Sequence, residues 1–243
     1  MRRTAVTEFP GGSRLALTDP GVRRIEWNLE YANLSDIELQ VLSSFFETVE
    51  GSLREFTFLD PLGNLLRSSE SLVAGAWTID PMIQVEHNVA DPLGAQRASR
   101  LTNTGQVIQA VTQTVAAPAS YQLCFSLWLR SGADGSSHLL RAAADGSKRV
   151  PIATAPEWKR VADSGRLNSS SEEVRFGLEL APGDTVDVFG FQVEPQLTPS
   201  RYRKTTARSG VYPNARFLDD VLRIVTTGPD EHHCRLRLTA REE

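Results

Sequence analysis

The sequence predicts a mainly β protein with one principal α-helix, in which a small α+β base domain is interrupted by an inserted antiparallel β-sandwich of the jelly-roll kind. Three observations predict it. Residues 23–63 read as strand, capped helix, strand and turn. Residues 106–193 then offer one strand after another with no amphipathic helix between them, and residues 221–238 return to strand patterning at the far end of the chain.

Taking the elements in order, Ile25, Trp27, Leu29 and Tyr31 alternate with Arg24, Glu26, Asn28 and Glu30, the period-two pattern of a strand with one wet face. Ser35 followed by Glu38 has the form of a capping box, and Leu34 and Leu39 stand where a hydrophobic staple belongs. Ile37, Val41, Leu42, Phe45, Phe46 and Val49 recur at three- and four-residue steps, which predicts a helix with one broad apolar stripe, ended by a left-handed Gly51. Phe56 and Phe58 alternate with Glu55 and Thr57. Asp60-Pro61-Leu62-Gly63 then supplies turn residues in type I order.

The polar run Arg67–Ser71 marks a domain boundary. Three segments follow from it: residues 1–68 as the first part of the base domain, 69–202 as the inserted sandwich, and 203–243 as strands returning to the base domain. Within the insert, strands are predicted over Gln106–Val115, Tyr121–Arg130, Leu139–Ala142, Trp158–Ala162, Val174–Leu180 and Val186–Val193. Gly210–Asn214 reads as a loop. Val221, Arg223 and Val225 form one face of a short strand, and Cys234, Leu236 and Leu238 alternate with polar residues in another.

Composition narrows the function. A chain of 243 residues, 40% hydrophobic, can bury a sizeable core. A net charge of −4 and a pI near 5.7 argue against nucleic acid as the main partner, with Arg2-Arg3 and the Arg201–Arg208 cluster as local basic exceptions. The N-terminus has no long apolar run, so neither a signal peptide nor membrane insertion is expected, and the product begins in the cytoplasm. Cys124 and Cys234 read as reduced thiols.

The candidate chemistry is sparse. His232-His233-Cys234 offers zinc-type ligands, but neighbours on a strand point to opposite faces and no second ligand pair stands at the right spacing, so no metal and no cofactor are expected. Glu172-Glu173 and Asp219-Asp220 read as solvated loop charge. Glu179, Asp187 and Glu194 sit on strands with nothing in the sequence to bring two together as a glycosidase needs, so no catalytic residue is assigned. Gly11-Gly12-Ser13 is too short to cradle phosphate and reads as a loop. Ligand binding is better served. In Tyr121–Arg130 the alternation leaves Trp128 and Arg130 on the polar face, and Gln109 and Gln113 share a face of their own strand; if the two strands pair, the four side chains make an aromatic and amide platform for a sugar. The competing reading packs Trp128 beneath a loop or against a neighbouring subunit. Trp77 and Trp158 are core or rim residues.

Two resemblances extend these readings. WNLEYANLSDIELQVLSSFFETVEGSLREFTFLDPLGN is similar to the N-terminal core of tailed-phage distal tail and minor tail (baseplate) proteins, through Trp27, Leu29, Tyr31, Leu34, Ser35, Phe45, Phe46, Gly51, Phe56, Phe58, Asp60 and Pro61. That resemblance implies a virion structural protein, a self-assembled ring, a hexamer by family analogy, that joins tail tube to tip hub proteins through its edge strands and exposed apolar residues, without turnover. It also implies residence in the virion tail after assembly in the host cytoplasm. The insert resembles carbohydrate-binding, galactose-binding-like jelly rolls through Gly75-Ala76-Trp77, the strand Tyr121–Arg130, Trp158-Lys159-Arg160-Val161 and the closing run Gly190, Gln192, Glu194, Pro199, Ser200 and Tyr202. This second resemblance implies contact with cell-surface glycan or a bracing role. The alternatives are a carbohydrate-active enzyme or a free-standing lectin-like module acting on envelope polysaccharide.

Overall fold

A computed structural model describes residues 4–8, 14–18, 23–73, 75–132 and 136–242; the Gly11-Gly12-Ser13 loop and Arg2-Arg3 lie outside these. In chain order the elements are β1 (Thr4–Glu8), β2 (Arg14–Thr18), β3 (Arg23–Leu34), α1 (Asp36–Thr48), β4 (Phe56–Leu59), β5 (Thr78–Ile79), β6 (Ile83–Val89), β7 (Ala98–Asn103) and β8 (Gln109–Val115). They continue with β9 (Leu123–Arg130), β10 (His138–Ala143), β11 (Gly146–Pro151), β12 (Lys159–Gly165), β13 (Val174–Leu180), β14 (Thr185–Glu194), β15 (Val211–Phe217), β16 (Arg223–Gly228) and β17 (Glu231–Glu242). The protein is mainly β, and its helix is the only one among the described residues.

The chain divides into two compact units, residues 1–58 with 212–243, and residues 59–211. The polar run expected to mark a boundary lies inside the second unit. Leu65 and Leu66 just before it are buried in that unit's core, and Ser69 within it accepts the Thr205 N–H on its hydroxyl at 2.8 Å. A polar run was a poor boundary marker here because its side chains are satisfied internally.

In the 59–211 unit, two five-stranded antiparallel sheets face each other, β11-β10-β13-β8-β5 and β12-β9-β14-β7-β6. Alternation supplies the core between them: Leu123, Phe125, Leu127 and Leu129 from β9, Val174, Phe176, Leu178 and Leu180 from β13, and Val186, Val188, Phe191 and Val193 from β14. Trp77 is a core residue, its ring 4.6 Å from Phe191. Strands β5, β6, β7 and β11 escaped the sequence reading. β7 has Leu101 as its only large apolar residue, and β11, Gly-Ser-Lys-Arg-Val-Pro, is a polar edge partner of β10.

In the other unit β17 is central. It pairs with β3 along one side, placing Leu236 opposite Leu29 and Leu238 opposite Trp27, and with β16 and then β15 along the other. β4 lies beyond β15, and β1 with β2 forms a separate two-stranded sheet. The expected loop at Gly210–Asn214 is the start of β15. Its Pro213 precedes Arg216 and Phe217, the residues that pair with β17. Ser35 and Glu38 make the reciprocal capping box. At the other end Glu50 (φ 54) takes the left-handed position, with Gly51 (φ 63) following. Glu50 N–H donates to Glu47 O and Gly51 N–H to Phe46 O, both at 3.0 Å, the two bonds of a Schellman ending.

The helix stripe splits in two. Leu42, Phe46 and Val49 face a core with Phe56, Phe58, Phe217, Cys234, Leu236 and Leu238. Ile37, Val41 and Phe45 remain 74%, 66% and 40% exposed, a second apolar line at four-residue steps. A stripe too wide for one sheet leaves its far side uncovered.

Candidate functional site

The outward face of the sheet β12-β9-β14-β7-β6 holds the predicted site residues Trp128 and Arg130, and the structure separates their roles. Trp128 is directly opposite Phe189 on β14 and Arg160 on β12. The chain after β14 folds back over this region: the Tyr202 ring lies 5.5 Å from both Trp128 and Phe189, and the Arg160 guanidinium stacks 4.6 Å over Trp128. Trp128 therefore packs beneath a loop.

The closing motif explains how the loop is held. Gly190 has φ 65 at a bulge in the β14–β9 pairing, and a Cβ there would meet Trp128 at 3.0 Å and Tyr202 at 3.2 Å. Gln192, fully buried, accepts the Arg203 N–H at 2.7 Å, and Glu194 accepts Ser200 N–H at 3.1 Å as well as its hydroxyl. Tyr202 OH meets Ser69 Oγ at 2.8 Å, and burial pushes its phenol well above the ordinary tyrosine range.

Gln109 and Gln113 do not join Trp128. Their strand β8 lies between β13 and β5 in the opposite sheet. Gln113 shares the inward parity of Val111 and Val115, and its amide is consumed by the backbone of Arg67, accepting its N–H at 2.6 Å and donating to its O at 2.9 Å. Gln109 caps a neighbouring turn, accepting from Met82 N at 3.4 Å. Side-chain parity was legible in each strand, but the assignment of strands to sheets was not.

What remains open on the Trp128 face is one row along from the covered part. Asp187 on β14 is the direct cross-strand partner of Arg100 on β7 and of Arg130 on β9. Its carboxylate accepts from Arg100 Nε at 2.7 Å and Nη2 at 3.2 Å, and from Arg130 Nε at 2.9 Å. The side chain of Asp187 is almost buried between two guanidiniums that are partly exposed, and the carboxylate holds Arg100 above its ordinary pKa. Arg130 also stacks 4.8 Å over Trp158, whose indole N–H is buried without a hydrogen-bond partner among the described residues. Ser131, Gly132, Pro156 and Thr185 complete an open groove of about 400 Å³ around the Arg-Asp-Arg row. Such a groove, with a few converging planar polar groups, has the size of a small-ligand site. Arg100, Asp187 and Trp158 were missed in this role because only the strand pairing puts them beside Arg130.

The other candidates are structural. Glu179 is gripped by Arg149 at 2.8 and 3.1 Å on the outward side of the opposite sheet. Asp187 and Glu194 are seven residues apart on β14, about 23 Å at 3.3 Å per residue, so no two of these acids flank one bond. Asp219 pairs with Arg237, and Asp220 accepts Ser52 N–H at 3.0 Å and Oγ–H at 2.6 Å. His232 engages Thr226 Oγ1 through Nδ1 at 2.9 Å and Asp36 Oδ1 through Nε2 at 2.7 Å, and no group of three potential metal ligands gathers among the described residues. Cys124 and Cys234 are free and buried, one in each unit.

No family model and no curated protein matches the chain. Solved structures with similar strand arrangements include the CBM22-1 xylan-binding domain of Paenibacillus barcinonensis Xyn10C, at 11% identity over 60% of this chain and 99% of that one, with a TM-score of 0.45. TmCBM61, solved with β-1,4-galactotriose, has 13% identity over 55% and 99%, with a TM-score of 0.41. The enzymatically active domain of bacteriophage CBA120 tailspike protein 4 has 11% identity over 56% of this chain but only 21% of its own length, with a TM-score of 0.42. None of these three is a distal tail protein.

Proposed function

We propose that this chain is a non-catalytic, lectin-like protein whose 59–211 unit binds surface polysaccharide in the groove around Arg100, Asp187 and Arg130. The observation that carries this reading is the cross-strand Arg-Asp-Arg row, which lines an open groove beside the Trp128 patch that the chain itself covers. A fixed carboxylate and two planar guanidiniums offer converging acceptors and donors to neighbouring hydroxyls of a sugar, and the row is preorganised by its own hydrogen bonds. Glu179, Asp187 and Glu194 are each held by partners and spaced beyond the reach of a glycosidase pair. The resemblance of the insert to carbohydrate-binding jelly rolls points the same way.

The test is retardation of the full chain in gels containing bacterial envelope polysaccharides, comparing the parent with Arg130→Ala and Asp187→Asn. Binding by the parent that both variants lose is the expected result. Equal retardation of all three sinks the groove, and release of reducing sugar by the parent sinks the non-catalytic reading.

A second reading concerns the other unit, and the exposed line Ile37, Val41 and Phe45 favours it. Apolar residues aligned on one helix face suit a subunit contact. In this reading the unit of residues 1–58 and 212–243 is the α+β base domain of a phage-type distal tail protein. It closes into a ring, six copies by family analogy, between tail tube and tip hub, and the protein resides in the virion tail. Light scattering on the full chain tests it: an oligomer that Val41→Ser with Phe45→Ser disperses is expected, and a strict monomer counts against it.

A further inference from the structure

The register that joins Asp187 to Arg100 and Arg130 carries their row on to the edge of the sheet. Glu86 on β6 stands opposite Arg100, and the two side chains approach to 3.8 Å. Glu86, Arg100, Asp187 and Arg130 therefore form one line across β6, β7, β14 and β9. At about 4.8 Å per strand it is about 14 Å long. A second line runs beside it, two residues further along each strand: Gln84 stands opposite Thr102, and Thr102 opposite Thr185. The two threonine hydroxyls meet at 3.1 Å, and this line carries no charge.

Charge decides what the two lines can hold. Among the described residues each guanidinium of the charged line is already answered by a carboxylate: Arg100 reaches Asp187 at 2.7 Å and Glu86 at 3.8 Å, and Arg130 reaches Asp187 at 2.9 Å. An acidic ligand group would have to draw an arginine off Asp187, whose side chain is 7% exposed, and leave a nearly buried carboxylate short of its cations. A hydroxyl demands no such exchange. Asp187 engages Arg130 through Nε, so the Nη groups of that fork remain to donate to sugar oxygens. The hydroxyls of Thr102 and Thr185 and the amide of Gln84 are groups that both donate and accept, as the hydroxyls of a sugar do.

Taking the groove as the sugar site, we propose that its ligand is an uncharged stretch of polysaccharide several sugars long, lying across the strands from Arg130 to the edge strand β6. A single ring fills only part of such a line. Side chains fixed in advance by their own ion pairs and hydrogen bonds lose little freedom on binding, so each further ring that meets them adds affinity.

The experiment measures retardation of the full chain by uronic-acid-containing bacterial envelope polysaccharides, each used as isolated and after chemical reduction of its carboxyls to alcohols. The polymer backbone is then unchanged and only its charge differs. The reduced form should bind at least about tenfold more tightly than the acidic form, with little change between about 0.05 and 0.5 M salt, because no net charge is there to be screened. Monosaccharides from full hydrolysis should compete at least about tenfold less well than oligosaccharides of the same reduced polymer. Thr102→Val on the uncharged line should weaken the reduced polymer by about threefold to tenfold, the loss of one neutral hydrogen bond. Glu86→Gln, at a side chain 67% exposed, leaves the charged line with a surplus cation and should narrow the preference for the reduced form, while thermal melting confirms the fold of both variants. Acidic polymer bound as tightly as its reduced form, and released by Arg130→Ala, overturns the uncharged ligand and leaves the groove as the sugar site. Retardation by neither form overturns the sugar site and this ligand with it. Monosaccharides that compete as well as oligosaccharides overturn the extended mode, and a Glu86→Gln preference equal to the parent's overturns charge balance as its cause.

Discussion

Replacing Asn64 with aspartate should destabilise the 59–211 unit in a pH-dependent way, because this side chain is the polar clip that fastens the segment entering the unit. Asn64 is 2% exposed. Its Nδ2 donates to Phe191 O at 2.9 Å and Arg203 O at 3.2 Å, and its Oδ1 accepts from Leu66 N at 3.1 Å and Val193 N at 3.1 Å. The substituted carboxylate keeps the two acceptances but turns the two donations into oxygen facing oxygen. With a buried negative charge added, the loss at pH 7.5 is about 3–5 kcal/mol, enough to move a urea midpoint by about 2 M.

The pH dependence has a definite sign. Burial and the two carbonyls raise the folded carboxyl of the variant above its unfolded value near 3.9. Between those values the folded state holds more protons, so stability falls as pH rises through that window, by up to about 1.4 kcal/mol per pH unit, and is regained on acidification. Asn64→Leu loses all four bonds and should show no added pH slope. Trp77, Trp128 and Trp158 all lie in this unit, so tryptophan fluorescence follows the transition. An Asn64→Asp midpoint at pH 7.5 within about 1 kcal/mol of the parent, or a slope no different from it, would refute the reasoning.

Three further outcomes are expected. Gly177→Ala should lower the melting temperature severely, since its Cβ would fall 2.1 Å from Val111 O and 2.9 Å from Thr112 Cα, both backbone, forcing β13 off β8; Gly132→Ala, with nothing within 4 Å, is the neutral control. Trp128→Ala should cost about 3–5 kcal/mol in chemical denaturation yet leave polysaccharide retardation of the folded fraction intact, the reverse of Arg130→Ala. Cys124 should react with a thiol reagent only as fast as the unit unfolds, and because burial, reinforced by Glu194, pushes its pKa up to about 11, stability should fall as pH rises from about 9, the unfolded value, towards that figure.

Local chemistry by itself determined much of this protein. The capping box at Ser35 and Glu38, the parity of Leu123, Phe125, Leu127 and Leu129 and the Asp60 turn all involve residues whose partners lie within a few positions or on one strand, so period and turn preference suffice to read them. Strands β7 and β11 were illegible because edge and partner strands draw their stability from neighbours, not from their own apolar residues. The candidate site depended on the same non-local information. Gln113 and Trp128 looked alike as exposed polar-face candidates, and only the sheet order put Gln113 against Arg67, Trp128 under Tyr202, and Arg130 beside Asp187 and Arg100. Parity is set by one strand's backbone, but a site needs side chains from several strands, and the pairing that joins them is decided by burial and hydrogen bonding across the whole unit.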